Sequence, residues 1–318
     1  MRDKILELLR RKEEYISGED ISRHLGMTRQ ALWKHIQELR DDGYDIVAIP
    51  HLGYRILSSP DRLYPPEITE GLGTKFIGRN IHYYDHLPST MDAAMELCSQ
   101  DVAEGTAVVA EYQTKGRGRL GRSWVSTKYK GIYCTFILRP DIPSSQIPVL
   151  TLMTAVSICE GIKEYAGVLA QIKWPNDILV NGKKLGGILT ELKGEIDAAN
   201  FVIIGFGLNV NNSREELVPG AVSLKEEKKE EVSRQELLKE ILRRIEENYG
   251  IFVRKGSAAI LDKWRGYNVT LGRRIKLACR KEHLEGQALD IDSDGGLLVR
   301  RDSGIVEKFM AGDIAHLR

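Results

Sequence analysis

With 318 residues, 42% of them hydrophobic, the chain exceeds one domain of about 150 residues and carries enough apolar side chains for two or three packed cores. Its 46 basic and 45 acidic residues nearly cancel, so global charge gives no reason to expect nucleic acid, and any such contact needs a local patch. No uninterrupted apolar run of about 18 residues occurs, and Met1-Arg2-Asp3-Lys4 does not begin a secretion signal, which predicts a soluble, cytoplasmic protein with no membrane partner.

In Met1 to Arg11, Ile5, Leu6, Leu8 and Leu9 recur at helical spacing between charges, predicting a helix with one buried face. Ser17 followed by Asp20 has the form of a capping box opening a short helix that bears Ile21 and Leu25. Gly26 can take the left-handed conformation that ends it, and Thr28 can cap a third helix whose Leu32, Ile36 and Leu39 share a face. Thr28, Arg29, Gln30, Trp33 and Lys34 then lie on the outer side, able to meet phosphates or base edges in a major groove, with Arg29 and Gln30 the best base readers. After Gly43, two β-prone runs, 46–49 and 54–57, flank the hairpin-like Pro50-His51-Leu52-Gly53. Three helices and a hairpin make a winged helix-turn-helix, a shape that also serves protein contacts, so DNA binding rests on the exposed polar face. Pro60, Pro65 and Pro66 mark a linker, which places the first domain at 1–64.

From Ile81 onward, strand-like runs at 81–84, 106–112, 132–138, 178–180 and 201–206 alternate with helical stretches such as 150–166, predicting an α+β sheet domain. Between two of these strands lies Gln113-Thr114-Lys115-Gly116-Arg117-Gly118-Arg119-Leu120-Gly121-Arg122-Ser123-Trp124. It sets cations among glycines whose backbone N–H groups can close around an anion. Its glycine spacing fits neither a Walker loop nor a dinucleotide fingerprint. An unordered RNA-binding Arg-Gly tract is the alternative, but this one stands alone between strands, where a loop of such length is usually functional. It reads as a flexible clamp for phosphate and carboxylate. Farther on, Lys173-Trp174-Pro175-Asn176-Asp177 ends a strand, Asn181-Gly182 suits a type I′ turn, and Lys183-Lys184-Leu185-Gly186-Gly187 starts the return strand. That hairpin can aim Lys184 and Asp177 at one site. A cation opposing a carboxylate and phosphates, with an acidic or amide group for Mg²⁺, is what adenylate formation needs, because charge has to be neutralised before one anion attacks another.

The charge run from Lys225 to Glu231 reads as a solvated loop, and Ser233 to about Tyr249 as an amphipathic helix through Leu237, Leu238, Ile241, Leu242 and Ile245. Beyond Trp264, short β runs at 274–278, 285–291, 297–300 and 305–309 predict a small SH3-like β barrel. Cys98, Cys134, Cys159 and Cys279 form no Cys-x-x-Cys pair; they read as buried, reduced small hydrophobes, and no resident metal-ligand cluster is expected.

Taken together, Ser89-Thr90 at a helix start, the Gly116 to Trp124 tract, Lys173 to Asp177, Lys184-Leu185-x-Gly187-Ile188 and Gly205-x-Gly207-x-Asn209 resemble the bifunctional biotin protein ligases that also repress biotin-synthesis operons. The likeness runs from residue 1 to 318. It implies a winged helix at 1–64, a mixed α/β catalytic domain of the biotin/lipoate ligase type at 65–268, and the barrel at 269–318. It also implies a reaction: the biotin carboxylate attacks the α-phosphate of ATP to give biotinyl-5′-AMP and pyrophosphate. A lysine of a biotin carboxyl carrier domain, such as that of acetyl-CoA carboxylase, then takes the biotinyl group. Both steps are matters of positioning and electrostatics.

Carried over residue by residue, Ser89, Thr90, Gln113 and the backbone of Gly116, Arg117, Gly118 and Arg119 would hold biotin and its adenylate. Lys184 would contact the reacting carboxylate and phosphate with Arg119 as the second catalytic side chain, Arg119 and Arg122 would bind phosphates, and Trp124 would fold over the ligand. Lys173, Asn176, Asp177 and Asn209 would form the nucleotide and Mg²⁺ side, and Gly187 belongs to the same binding set. Met91-Asp92 stands where some relatives carry polar amides, and 211–224 lacks the tryptophan that some set against adenine. In the family the barrel abuts the active site and helps carrier docking, which would bring Lys308 or Phe309 to nucleotide or partner. Biotinyl-5′-AMP would act as corepressor, promoting a homodimer whose two winged helices meet a palindromic operator. A ligand-sensing regulator without turnover and a ligase for lipoate or another small acid are competing readings; Lys184 and the arginine loop disfavour the first.

Overall fold

Ile5, Leu6 and Leu9 fall on one side of α1 (Arg2–Arg11) and are buried, as helical spacing dictates. Ser17 Oγ accepts the Asp20 N–H at 3.0 Å to open α2 (Gly18–Leu25), and Gly26, at φ 64°, closes it in the left-handed region. Thr28 Oγ1 accepts the Ala31 N–H at 3.2 Å and starts α3 (Arg29–Asp41), which buries Leu32, Ile36 and Leu39. The antiparallel pair β1 (Asp45–Ile49) and β2 (Gly53–Ser58) forms the wing. At its inner end Tyr54 exchanges backbone hydrogen bonds of 2.9 and 2.8 Å with Ile16, an approach so close that any side chain at Gly53 would strike the Ile16 carbonyl. These elements make the first of two units, Met1–Arg62 and Leu63–Arg318, in this computed structural model, whose described residues are 1–11, 14–195, 198–279 and 282–316.

The second unit begins with α4 (Pro65–Thr69), β3 (Ile81–Tyr84), α5 (Thr90–Cys98), β4 (Ala107–Ala110), β5 (Gly131–Leu138) and α6 (Ile147–Ala166). It continues through β6 (Gln171–Lys173), β7 (Asp177–Val180), β8 (Lys183–Glu195), β9 (Ala198–Asn209), α7 (Leu224–Lys228), α8 (Arg234–Lys255) and α9 (Ser257–Tyr267). The strands form one sheet in the order β3-β4-β5-β9-β8-β7-β6, parallel at β3–β4 and antiparallel elsewhere. Alternation along the strands gives the sheet two apolar faces. Val109, Cys134, Phe136, Val202 and Ile204 pack with α6, α8 and α9, while Val108, Ala110, Ile137 and Ile203 meet α5.

Residues 144–166, which include α6, are long and apolar enough by composition to cross a membrane, although Thr151, Thr154, Ser157 and Glu160 interrupt the apolar run. Most of this stretch is buried, α6 being packed against the sheet, α8 and α9, and that burial accounts for the apolarity. The charge run at 225–231 contains the short helix α7, capped by Ser223, where a loop was expected. Cys98, Cys134 and Cys159 are buried, reduced thiols; the side chain of Cys279 lies outside the described residues.

Five antiparallel strands complete the unit: β10 (Arg274–Cys279), β11 (Glu282–Ile291), β12 (Leu297–Arg300), β13 (Val306–Phe309) and β14 (Asp313–His316), in the order β13-β12-β11-β10-β14. The last of these gave no clear sequence signal. Ile275, Leu277, Leu297, Val299 and Ile314 join the same core as the large sheet. Trp174 ties the two together, its backbone N–H donating to Thr270 Oγ1 and its Nε1 to the Gly295 carbonyl, both at 3.1 Å.

One buried ion pair anchors the unit. Arg234 and Glu111 are fully buried and meet at 2.6 Å, while the other Glu111 oxygen accepts the Leu63 N–H at 2.8 Å. Arg234 Nη1 also donates to the Gly131 carbonyl at 3.1 Å. Glu111→Ala strands the Arg234 charge in the core and is expected to lower the unfolding free energy by about 3–5 kcal/mol in urea titrations. Glu111→Leu combined with Arg234→Met should cost less than Glu111→Ala alone; a larger cost for the pair would contradict this account.

Candidate active site

Three glycines hollow the sheet face that α5 leaves partly uncovered. Gly187 pairs with Gly207 across β8 and β9, and Gly205 lies between Leu189 and Thr135 one alternate position along. A Cβ on Gly207 would sit 2.6 Å from the Trp124 ring, and one on Gly205 2.6 Å from Met91 Sδ, so these strands admit neighbours that any side chain would exclude. The resulting pocket is bounded by the start of α5, the loop between β4 and β5, and the β7–β8 hairpin.

Its inner end is polar and buried. Gln113 Oε1 accepts both the Thr90 N–H at 2.8 Å and the Thr90 hydroxyl at 3.1 Å, and Thr90 Oγ1 accepts the Thr135 hydroxyl at 2.8 Å. At the other end stands Lys184. A register shift between β7 and β8 lets Leu185 bury itself in the core behind the sheet, while Lys184 turns to the face of Gly187 and Asp177. Asn181 and Gly182 both have positive φ, as the tight turn before it requires, and Lys184 Nζ reaches Asp177 Oδ1 at 2.5 Å. The ammonium also lies 5.9 Å from the Trp124 ring centre.

The arginine loop folds back on itself. Gly118 N–H donates to the Arg122 carbonyl at 2.7 Å and Trp124 N–H to the Gly116 carbonyl at 2.8 Å, leaving Leu120 exposed at the tip. Each arginine has a partner: Arg117 pairs with Asp92 at 2.7 Å and with Glu191, Arg122 with Asp313, and Arg119 donates to Asn176 Oδ1 at 2.9 Å and to the Gly312 carbonyl at 3.4 Å. Burial lowers the pKa of Arg119 from its ordinary value, opposed by Asp313 and Asp177. The pocket wall thus holds four cations, Arg117, Arg119, Arg122 and Lys184, each already engaged by a carboxylate, an amide or a carbonyl, so that it can receive an anionic ligand by exchanging these partners.

Of the residues proposed from sequence, Thr90, Gln113, Arg117, Gly118, Arg119, Arg122, Trp124, Asn176, Asp177, Lys184 and Gly187 line this one pocket. Four do not. Ser89 Oγ caps α5 by accepting the Met91 N–H, and Gly116 supports Trp124 from behind with its carbonyl. Asn209 Nδ2 donates to the Val222 carbonyl at 3.3 Å, and Lys173 faces a neighbouring cavity. Trp124 lies against Gly187 and Gly207, its Nε1 buried with no hydrogen-bond partner among the described residues, so it forms floor as well as cover. Lys308 is held by Asp292 and Asp294, and Phe309 packs on the core; neither lines the pocket. Met91, Ile188, Leu189, Phe206 and Asp313 do line it. Met91 and Ile188 stood in or beside the motifs without a role of their own, glycines flanked Phe206, and Leu189 and Asp313 had no local signal, Asp313 arriving only through the pairing of β14 with β10.

In the first unit, Thr28 caps α3, and Arg29, Gln30, Trp33 and Lys34 stand exposed on its outer face, Trp33 at 57%. Arg29 pairs with Glu19 of α2 at 2.6 Å.

Residues 2–55 match the model of the HTH domain family, 83–209 that of the Biotin/lipoate A/B protein ligase family, and 270–317 that of the Biotin protein ligase C terminal domain. The chain is 41% identical to the bifunctional ligase/repressor of Bacillus subtilis, over 99% of this chain and 98% of that one. To the bifunctional ligase/repressor of Escherichia coli it is 31% identical, over 95% and 93%. A biotin protein ligase from Aquifex aeolicus, solved with biotin and ATP, superposes with a TM-score of 0.65 at 31% identity, over 76% of this chain and 99% of that one. Fold and site therefore define a protein ligase of the biotin/lipoate class joined to a helix-turn-helix head and a C-terminal β-sheet domain. Within that class the chain belongs to the bifunctional biotin protein ligase/repressor family.

The Trp124 packing can be tested without ligand. Gly207→Ala is expected to push the indole off the strands, at a cost of about 1–3 kcal/mol in stability, and to raise tryptophan quenching by acrylamide. The increase should vanish in a Trp124→Phe background; if it persists, the displaced side chain is a different one.

Proposed function

We propose that this pocket joins biotin to ATP as biotinyl-5′-AMP and then presents the acyl group to a lysine of a biotin carboxyl carrier domain, such as that of acetyl-CoA carboxylase. The observation that carries the reading is the polarity of the pocket: buried neutral groups around Thr90 and Gln113 at one end, and Lys184 among arginines at the other. The ureido ring of biotin offers donors and an acceptor suited to the first end. Its carboxylate then meets the cations. There Lys184 and Arg119 offset the charge that builds when the carboxylate oxygen bonds to the α-phosphorus, and Arg122 holds the phosphates. Trp124 and the strand glycines bound the apolar middle of the ligand and exclude water from the adenylate.

Mg²⁺ fits as a companion of the ATP phosphates. Among the described residues no group of three or more His, Cys, Asp or Glu side chains could cage a metal, whereas Asp177 and the Asn176 amide offer hard oxygen atoms beside the cations. The ion would shield phosphate charge.

For regulation, the proposed corepressor is biotinyl-5′-AMP. Its binding would favour a homodimer whose two winged heads read a palindromic operator through Arg29 and Gln30, with Thr28, Trp33 and Lys34 on backbone and groove. The cell compartment that holds the carrier and the DNA is the cytoplasm.

Incubation with ATP, biotin and a biotin-acceptor domain should label the acceptor lysine, and an unlabelled acceptor sinks the ligase reading for these substrates. Lys184→Gln is expected to slow adenylate formation by about 10²–10³-fold while leaving the urea midpoint near that of the parent protein. In the head, Arg29→Ala should weaken operator binding in gel shifts by about tenfold and leave acceptor labelling intact. Unchanged DNA affinity would remove Arg29 from the interface.

A further inference from the structure

Met91 lines the candidate active site and takes no part in the proposed adenylation. Building on the reading of that pocket as a biotin site, we infer that Met91 is its specificity-determining residue: it admits an apolar thioether ring beside the urea and excludes the same ring with an oxygen on its sulfur.

The strand glycines set the order of compartments along the pocket. Gly205 and Gly207 occupy alternate positions of β9, on one face of the sheet and about 7 Å apart. Over Gly205 lies Met91, since a Cβ there would come within 2.6 Å of its Sδ and 3.2 Å of its Cγ. Over Gly207 lies Trp124, and Lys184 stands 5.9 Å from the indole centre. The polar end adjoins Gly205, because Thr135, its register partner on β5, donates its hydroxyl to Thr90 Oγ1. Met91 therefore sits between the groups suited to the urea and the indole that bounds the acyl chain. In biotin the part between urea and acyl chain is the sulfur ring, so that ring falls in the Met91 compartment.

The compartment has apolar surface to offer and no free donor. Met91 is 3% exposed, and its thioether is a soft, polarisable surface without a hydrogen to donate. Both hydroxyl hydrogens beside it are committed, that of Thr135 to Thr90 Oγ1 and that of Thr90 to Gln113 Oε1. The Gly205 backbone is held inside the sheet between Leu189 and Thr135, and Arg117 is held by Asp92 and Glu191. A ring sulfur is a weak acceptor and gives up little on entering such a place. A sulfoxide oxygen is a strong acceptor, and leaving water for a wall without a donor is expected to weaken binding about ten- to hundredfold.

Calorimetry on the full chain without ATP tests this by comparing biotin with its two S-oxide epimers. The parent is expected to bind biotin about ten- to hundredfold more tightly than either epimer. Met91→Leu, apolar and of similar volume, should keep that ratio whatever it does to the separate affinities. Met91→Gln brings an amide donor to the ring and should shrink the ratio about tenfold for at least one epimer. The shorter Met91→Asn carries the same donor and serves where the longer amide disturbs packing. Equal binding of biotin and both epimers by the parent overturns the inference. A ratio that both amide variants leave unchanged overturns it too, because Met91 would then only fill space, as does a ratio that Met91→Leu abolishes, because polarity would not be the cause. The biotin reading fails separately: a parent that binds no biotin removes that reading and the inference with it, whereas a parent that binds biotin, makes adenylate and does not discriminate removes only the role assigned to Met91.

Discussion

The buried pair between Glu111 and Arg234 fixes where everything else in the larger unit can be. Two charges removed from water are tolerable only if their mutual attraction and further hydrogen bonds compensate, and here those bonds go to the backbone at Leu63 and Gly131. Leu63 is where the chain enters the unit. Glu111 is where the arginine loop departs, and Gly131 is where it returns to the sheet. Arg234 is the first residue of α8, which packs on the long core helix α6. One ion pair thus ties both ends of the loop to the helix layer, and the loop's own backbone hydrogen bonds close the wall between them.

The same economy governs charge in the site. Its arginines are held by carboxylates from α5, β8 and β14. Such pairs, partly open to water, contribute little stability each, so they can be exchanged for a phosphate at modest cost while keeping the side chains in position. Lys184 follows the rule with Asp177.

Local signals were legible in the sequence where the physics is local. Caps at Ser17 and Thr28, the stop at Gly26 and the turn at Asn181-Gly182 depend on a few neighbouring residues, and the structure has each of them. Apolar periodicity located most strands and helices for the same reason. The strand glycines were visible as a motif, but their purpose was not, since the hollow exists only once β8 and β9 align Gly187 with Gly207. Ser89 and Asn209 show the converse: residue types suited to ligand contact also cap a helix and hold a loop carbonyl, a local duty that their identity alone does not reveal. Asp92, Glu191 and Asp313 carry no local mark at all, because a carboxylate becomes the partner of a loop arginine only through tertiary placement.

Asp313 and Gly312 show how far that placement reaches. They orient Arg122 and Arg119 from about 190 residues downstream, at the start of a strand that pairs with β10. The C-terminal sheet shares the apolar core of the large sheet and receives the Trp174 indole hydrogen bond at Gly295, so its position is set by burial rather than by the ion pairs it contributes. Rigid burial is what the chemistry needs there. An arginine held by a mobile appendage would lose its orientation with every excursion, whereas a strand edge anchored by Ile314 in the core delivers a carboxylate and a carbonyl at fixed points. The charge geometry of the site is therefore finished only when the last strand docks, which makes the C-terminal sheet a component of the active site rather than an addition to it.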